Sequence, residues 1–255
     1  MVDPIANVSP PNHFVQLYDA DEELLVRNVG RYIAEGLARN EGALIVASPA
    51  HREAFAAELE SLGVDLAQAT ESGRLVALDA QQTLDRIMHH GSPDATRFEA
   101  ALGPIMRDVL AGAPAGTLRA YGEMVGVLWL AGNVTAAIEL EEIWDARLAS
   151  GTFSLLCGYP IDVFGTEFQA AIVDGILCAH STVLPSTSAR FDGALERAIE
   201  EVTGPSTIRG GFETGATRVH RAALPKAEAT ALWVRSSLPR YADEIMDRAR
   251  LYYKR

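Results

Sequence analysis

Four continuous apolar runs, each leading into a segment with helical spacing, constrain this chain most. They are "GALIVAS" (42–48), "GRLVALD" (73–79), "TLRAYGEM" (117–124) and "TFSLLCGYP" (152–160). Runs without polar alternation mark strands covered on both faces. The intervening segments repeat apolar residues at helical intervals: Leu24, Leu25, Val29, Ile33 and Leu37 in the first, and Ala137, Leu140, Trp144 and Leu148 in a later one. A shorter strand is expected in "HFVQLYD" (13–19). Strands interleaved with helices of this length imply right-handed crossovers. The expected fold class is therefore α/β, with a mostly parallel sheet and helices on both faces.

After Pro185 the texture changes. "RFDGALERAIEEVTG" reads as a helix, "PSTIRGGFETGATR" as a Gly/Thr-rich connector, and two closing segments near 225–237 and 239–254 as helices. The expected organisation is an α/β domain over 12–185 and a helical extension over 186–255. In the closing segments Leu224, Ala227, Ala231 and Val234 share one stripe, and Tyr241, Ile245, Ala249 and Tyr252 another. Helices this short are marginal alone. Their stripes are expected to cover the α/β body, a second copy of the chain in a homodimer, or a partner.

Charge excludes some functions. Acidic residues number 34 against 22 basic ones, a net charge of −12, which repels phosphate backbones and anionic lipid. Direct nucleic-acid or membrane binding is not expected. The N-terminal "MVDPIANVSPPNHF" lacks a basic stretch followed by an apolar one, so no signal peptide and a cytoplasmic location are expected. Cys157 and Cys178 have no metal or redox spacing and read as buried, reduced thiols. Neither a metal nor another cofactor is expected.

Ligands of a parallel sheet collect at the carboxyl ends of its strands. That principle selects Ser48, His51 and Arg52 after the first apolar run, Asp79 after the second, Tyr121 to Glu123 after the third, and Cys157 and Tyr159 at the fourth. Ser48 suits an N-cap with Pro49 at the first helical position. The free N–H groups of that helix start could receive an anion or a polar oxygen. His51 lies in the same turn, where the helix dipole disfavours its protonated form, and a neutral imidazole there could bond a ligand. The blander alternative makes Ser48 only a cap and His51 a surface residue.

Glu123 stands in an otherwise apolar stretch whose other charge, Arg119, lies four residues back, roughly 13 Å at strand rise. A buried carboxylate needs a partner. Glu123 is expected to find one in another element, water or a ligand, or to act as a structural carboxylate on backbone N–H groups. Glu139, Glu141 and Glu142 read as a solvated helix face, Trp129 and Trp144 as core or interface, and His89–His90 as a helix end. No Walker A, G-x-G-x-x-G, G-x-S-x-G or H-E-x-x-H pattern occurs.

The segments "HFVQLYDADEELL", "ALIVASPAHREAFAAELESLGVD", "GRLVALDAQQTLDRIM", "PDATRFEAALG", "RAYGEMVGVLWLAGNVTAAIELEEIW" and "FSLLCGYP", in this order, resemble the MEDS family of sensory domains over about 12–185. The resemblance implies a divergent RecA/KaiC-like fold and a place in bacterial signalling beside histidine kinases, anti-sigma-type regulators and DNA-binding modules. It also implies that "SPAHREAF" stands where an ancestral phosphate loop stood, without its glycines and lysine. Without them triphosphate binding loses its main electrostatic support.

The leading expectation is a non-enzymatic sensory module. It would bind an unknown small ligand or a partner through Ser48, His51, Arg52, Glu123, Cys157 and Tyr159, and regulate a kinase, an anti-sigma-type protein or a transcriptional regulator. The alternatives are a phosphohydrolase or phosphotransferase in which Glu123 activates water, and a scaffold with a vestigial site.

Overall fold

The structure is a computed structural model that describes residues 5, 8–19, 22–186, 190–204 and 224–254. Its strands are β1 (Asn12–Leu17), β2 (Gly42–Ala47), β3 (Leu75–Asp79), a short ribbon of β4 (Met88–His89) and β5 (Ser92–Pro93), β6 (Leu118–Gly122), β7 (Phe153–Tyr159) and β8 (Thr182–Leu184). The main sheet has the order β3-β2-β6-β7-β1-β8. β2 pairs in parallel with β3 and β6, and β6 with β7, bringing Ile45 beside Tyr121 and Gly122 beside Cys157. β2, β6 and β7 are buried along their whole length. The α/β class expected from the apolar runs is the class observed.

The helices are α1 (Glu23–Ala38), α2 (Pro49–Ser61), α3 (Leu66–Glu71), α4 (Ala80–Ile87), α5 (Ala95–Gly112), α6 (Met124–Leu130), α7 (Val134–Leu148), α8 (Ala170–Ala179), α9 (Arg190–Thr203), α10 (Lys226–Ser237) and α11 (Ala242–Tyr253). Their starts follow side-chain chemistry. Asp65, Asp79 and Asp94 each accept from the backbone N–H three residues on, satisfying a donor the helix leaves unpaired. Gly63, at φ +82°, ends the turn after α2 in a conformation that costs glycine little.

Two compact units divide the chain: Met1–Val15 with Leu25–Pro160, and Gln16–Leu24 with Ile161–Arg255. In the second, α9, α10 and α11 bury Phe191, Leu195, Ala198, Ala227, Ala231, Val234, Ile245 and Ala249. Phe164, Phe191 and Tyr253 form an aromatic cluster with centroids 4.7 to 5.8 Å apart. Much of both closing stripes is thus covered within the chain, whereas Tyr241 and Leu251 remain exposed. Trp233 and Tyr253 are half-buried. The expected connector at 205–218 lies outside the described residues.

Two sequence expectations are corrected. Cys178 is exposed, because the apolar run around it is a helix whose buried side carries Val173, Ile176 and Leu177. Glu141 is not on a solvated face: it is 2% exposed and points inward beside Leu140 and Trp144, while Glu142 does face solvent. Among the described residues, no helix is long and apolar enough to cross a membrane.

Candidate functional site

The strand ends gather the residues selected from sequence into two clusters, one on each face of the β6–β7 pair. Alternate strand residues face opposite ways. Tyr121, Leu156 and Gly158 face α2, whose Phe55 meets Tyr121 edge-on at 5.0 Å. Phe153, Leu155, Cys157 and Tyr159 face α7, whose Trp144 lies 6.1 Å from Phe153.

On the α2 face the centre is Glu123, only 3% exposed. β6 ends at Gly122, and Glu123 occupies the N-cap position of α6 without capping it, its side chain turned toward the β2–α2 loop instead. One carboxylate oxygen accepts from the backbone N–H of Ser48. The other lies 2.5 Å from His51 Nδ1 and 3.1 Å from the Tyr121 hydroxyl. His51 is buried and stacks on Phe55 at 5.4 Å. Burial pushes the Glu123 carboxyl up, but the hydrogen bond and charge of His51 and the bonds from Ser48 outweigh it and hold it below the usual carboxylate range.

Ser48 and Pro49 take the cap and first-turn positions expected of them, with Ser48 Oγ accepting from the His51 N–H at 3.3 Å. These bonds use up the helix start. Pro49 has no N–H, the N–H of Ser48 goes to Glu123 and that of His51 to Ser48 Oγ, so within 48–51 Ala50 alone keeps a donor outside them. The chain's own carboxylate thus takes one of the N–H groups at this helix start, a kind of donor that can receive an anion. Ser48 is half-buried and Pro49 and Ala50 are exposed. Arg52 stands at the same rim, paired with Asp79 at 3.3 Å.

On the α7 face Cys157 and Tyr159 converge on Glu141. The Tyr159 hydroxyl donates to Glu141 Oε1 at 2.8 Å, and Cys157 Sγ lies 3.5 Å from Oε2. His13, from β1, completes the group: its Nε2 is 3.2 Å from Glu141 Oε2 and 3.5 Å from Cys157 Sγ, and its Nδ1 is 3.0 Å from Asp145 Oδ1. Burial lowers the affinity of His13 for a proton, yet Asp145 and Glu141 more than offset this and raise it to about 9. Burial, with Glu141 close by, pushes the Cys157 thiol and the Tyr159 phenol well above their ordinary values.

Sequence reasoning therefore selected Cys157 and Tyr159 but missed His13, Glu141 and Asp145. A signal for Glu141 was present. Ala137, Glu141, Trp144 and Leu148 recur at helical spacing, which puts the carboxylate inside the buried stripe. Arg119, expected to be no automatic partner of Glu123, pairs instead with Glu41 at 2.6 Å and donates to the Tyr32 carbonyl at 2.9 Å.

Comparison with curated proteins finds no match. The model of the family described as MEthanogen/methylotroph, DcmR Sensory domain matches residues 12–181, which include both clusters and the whole run from β1 to α8. The chain belongs to the MEDS family of sensory domains.

Proposed function

We propose that this protein is a non-enzymatic, cytoplasmic sensory module that reads a small ligand at the rim of the β2–α2 loop and passes its occupancy to a signalling partner. The observation that carries this reading is the Glu123 carboxylate on the Ser48 N–H at the head of α2. A nucleotide-hydrolysing loop presents converging N–H groups and a lysine to phosphate. Here a buried anion occupies that place, so a second anion would meet repulsion with little backbone donation to offset it. The degenerate loop of a RecA/KaiC-like ancestor accounts for the arrangement.

What remains accessible suits a small ligand without phosphate. Ala50 is exposed, and Arg52 stands half-buried at the same rim in its pair with Asp79. Ser48, His51, Arg52 and Glu123 form the ligand site in this reading, while Cys157 and Tyr159 support it from the other face of the sheet. The helical extension over 186–255 carries the output, with Tyr241 and Leu251 available to a homodimer, a kinase or another regulator.

A thermal-shift screen of small neutral organics tests the first half. A ligand at 100 times its dissociation constant stabilises by about 2.7 kcal/mol. The shift should disappear in Arg52→Ala. Truncation after Ser186, followed by light scattering and partner pull-down, tests the second. Retention of both the oligomeric state and the binding would make the extension a brace.

A further inference from the structure

We infer that His13 Nε2, Glu141 Oε2 and Cys157 Sγ form a binding site for a zinc-like divalent cation, a property separate from the ligand reading above. The three atoms come from β1, α7 and β7 and all lie in the first compact unit. They make a triangle with sides of 3.2, 3.5 and 3.5 Å. Zinc binds nitrogen at about 2.05 Å, oxygen at about 2.0 Å and sulfur at about 2.3 Å in tetrahedral geometry. Those lengths require nitrogen–oxygen, nitrogen–sulfur and oxygen–sulfur edges of about 3.3, 3.6 and 3.5 Å. The triangle already has the size of one face of that tetrahedron.

The surrounding bonds also match what a metal site needs. A ligating histidine characteristically donates its other ring N–H to a carboxylate, and His13 Nδ1 faces Asp145 at 3.0 Å. A ligating carboxylate is held by a further hydrogen bond, and Glu141 Oε1 accepts from the Tyr159 hydroxyl. The donor set, one imidazole, one carboxylate and one thiol, favours zinc over magnesium or calcium. Ligation uses the lone pair of His13 Nε2 and the thiolate form of Cys157, so any proton those atoms carry leaves to solvent on uptake.

The competing account is a metal-free cluster in which a charged His13 bridges Glu141 and Asp145. Full-length protein, stripped with a chelator and dialysed against Zn²⁺ or Co²⁺, decides between them. The inference expects one ion per chain, proton release on binding, and a thiolate-to-cobalt charge-transfer absorption in the Co²⁺ form. The absorption should persist in Cys178→Ser, which removes the other thiol, and vanish in Cys157→Ser. Asp145→Asn, which leaves all three donors in place, should weaken uptake about 10- to 100-fold. X-ray absorption on the zinc form should show one sulfur ligand and read the coordination number. The cobalt spectrum of the wild-type chain needs no variant to fold. No stoichiometric uptake, or bound cobalt without the thiolate absorption, overturns the inference.

Discussion

Glu123 and His51, 72 residues apart in sequence, meet at 2.5 Å with both side chains buried. The contact joins the end of β6 to the first turn of α2. It ties the half-buried Ser48 and the buried His51 at the start of α2 to the end of the central strand β6.

Removing one member should therefore cost more than a surface ion pair. Glu123→Ala leaves the Ser48 N–H, the His51 ring and the Tyr121 hydroxyl without their shared acceptor. Loss of one partner of a buried pair costs about 3–5 kcal/mol. Glu123→Gln keeps the shape and one acceptor oxygen, and should cost about 1–3 kcal/mol. Urea unfolding measures both; a cost below about 1 kcal/mol for the alanine variant would show that these bonds contribute little.

The same carboxylate sets a pH dependence. Its folded value lies below the ordinary 4.5 because His51 and Ser48 favour the charged form against burial. A depressed carboxylate stabilises the fold fully above its unfolded value, and the contribution is lost as pH falls through the folded value. The stability gap between wild type and Glu123→Gln should be constant near neutrality and shrink as pH drops below 4.5. A gap independent of pH from 7 down to about 3 would contradict this origin.

Gly158 of β7 lies against Tyr121 on the α2 face. A Cβ there would stand 2.5 Å from the Tyr121 hydroxyl oxygen, and 3.3 Å or more from the ring carbons. Gly158→Ala should destabilise by about 1–3 kcal/mol through overpacking, and should loosen the Tyr121 bond to Glu123. Tyr121→Phe deletes the clashing oxygen, so the double variant should be more stable than the sum of the single losses predicts. Additive losses in the double-mutant cycle would place the strain elsewhere.

Much of the fold was legible because continuous apolar runs have few other solutions. β2, β3, β6 and β7 fall where the runs predict them, and Ser48–Pro49 starts α2 as its residue types dictate. α6 was not legible, since "MVGVLWL" continues the apolar texture of β6 and periodicity alone does not separate a buried helix from a strand. β8, with three residues, is too short to show a pattern.

The site was legible only as strand ends. Ser48, His51 and Glu123 do converge. Tyr159 and Cys157 belong to the opposite face, a division that depends on which residue of each strand starts the alternation. His13 and Asp145 were hidden because their pairing spans 132 residues of sequence.

The central claim is that Glu123 fills the phosphate position and the protein turns over no nucleotide. The direct measurement is phosphate release from ATP and GTP with Mg²⁺, for purified wild type and for Glu123→Gln. The account predicts no release above buffer from wild type and no stabilisation by either nucleotide. Metal-dependent hydrolysis by wild type, abolished in Glu123→Gln, would contradict it and make Glu123 the residue that activates water.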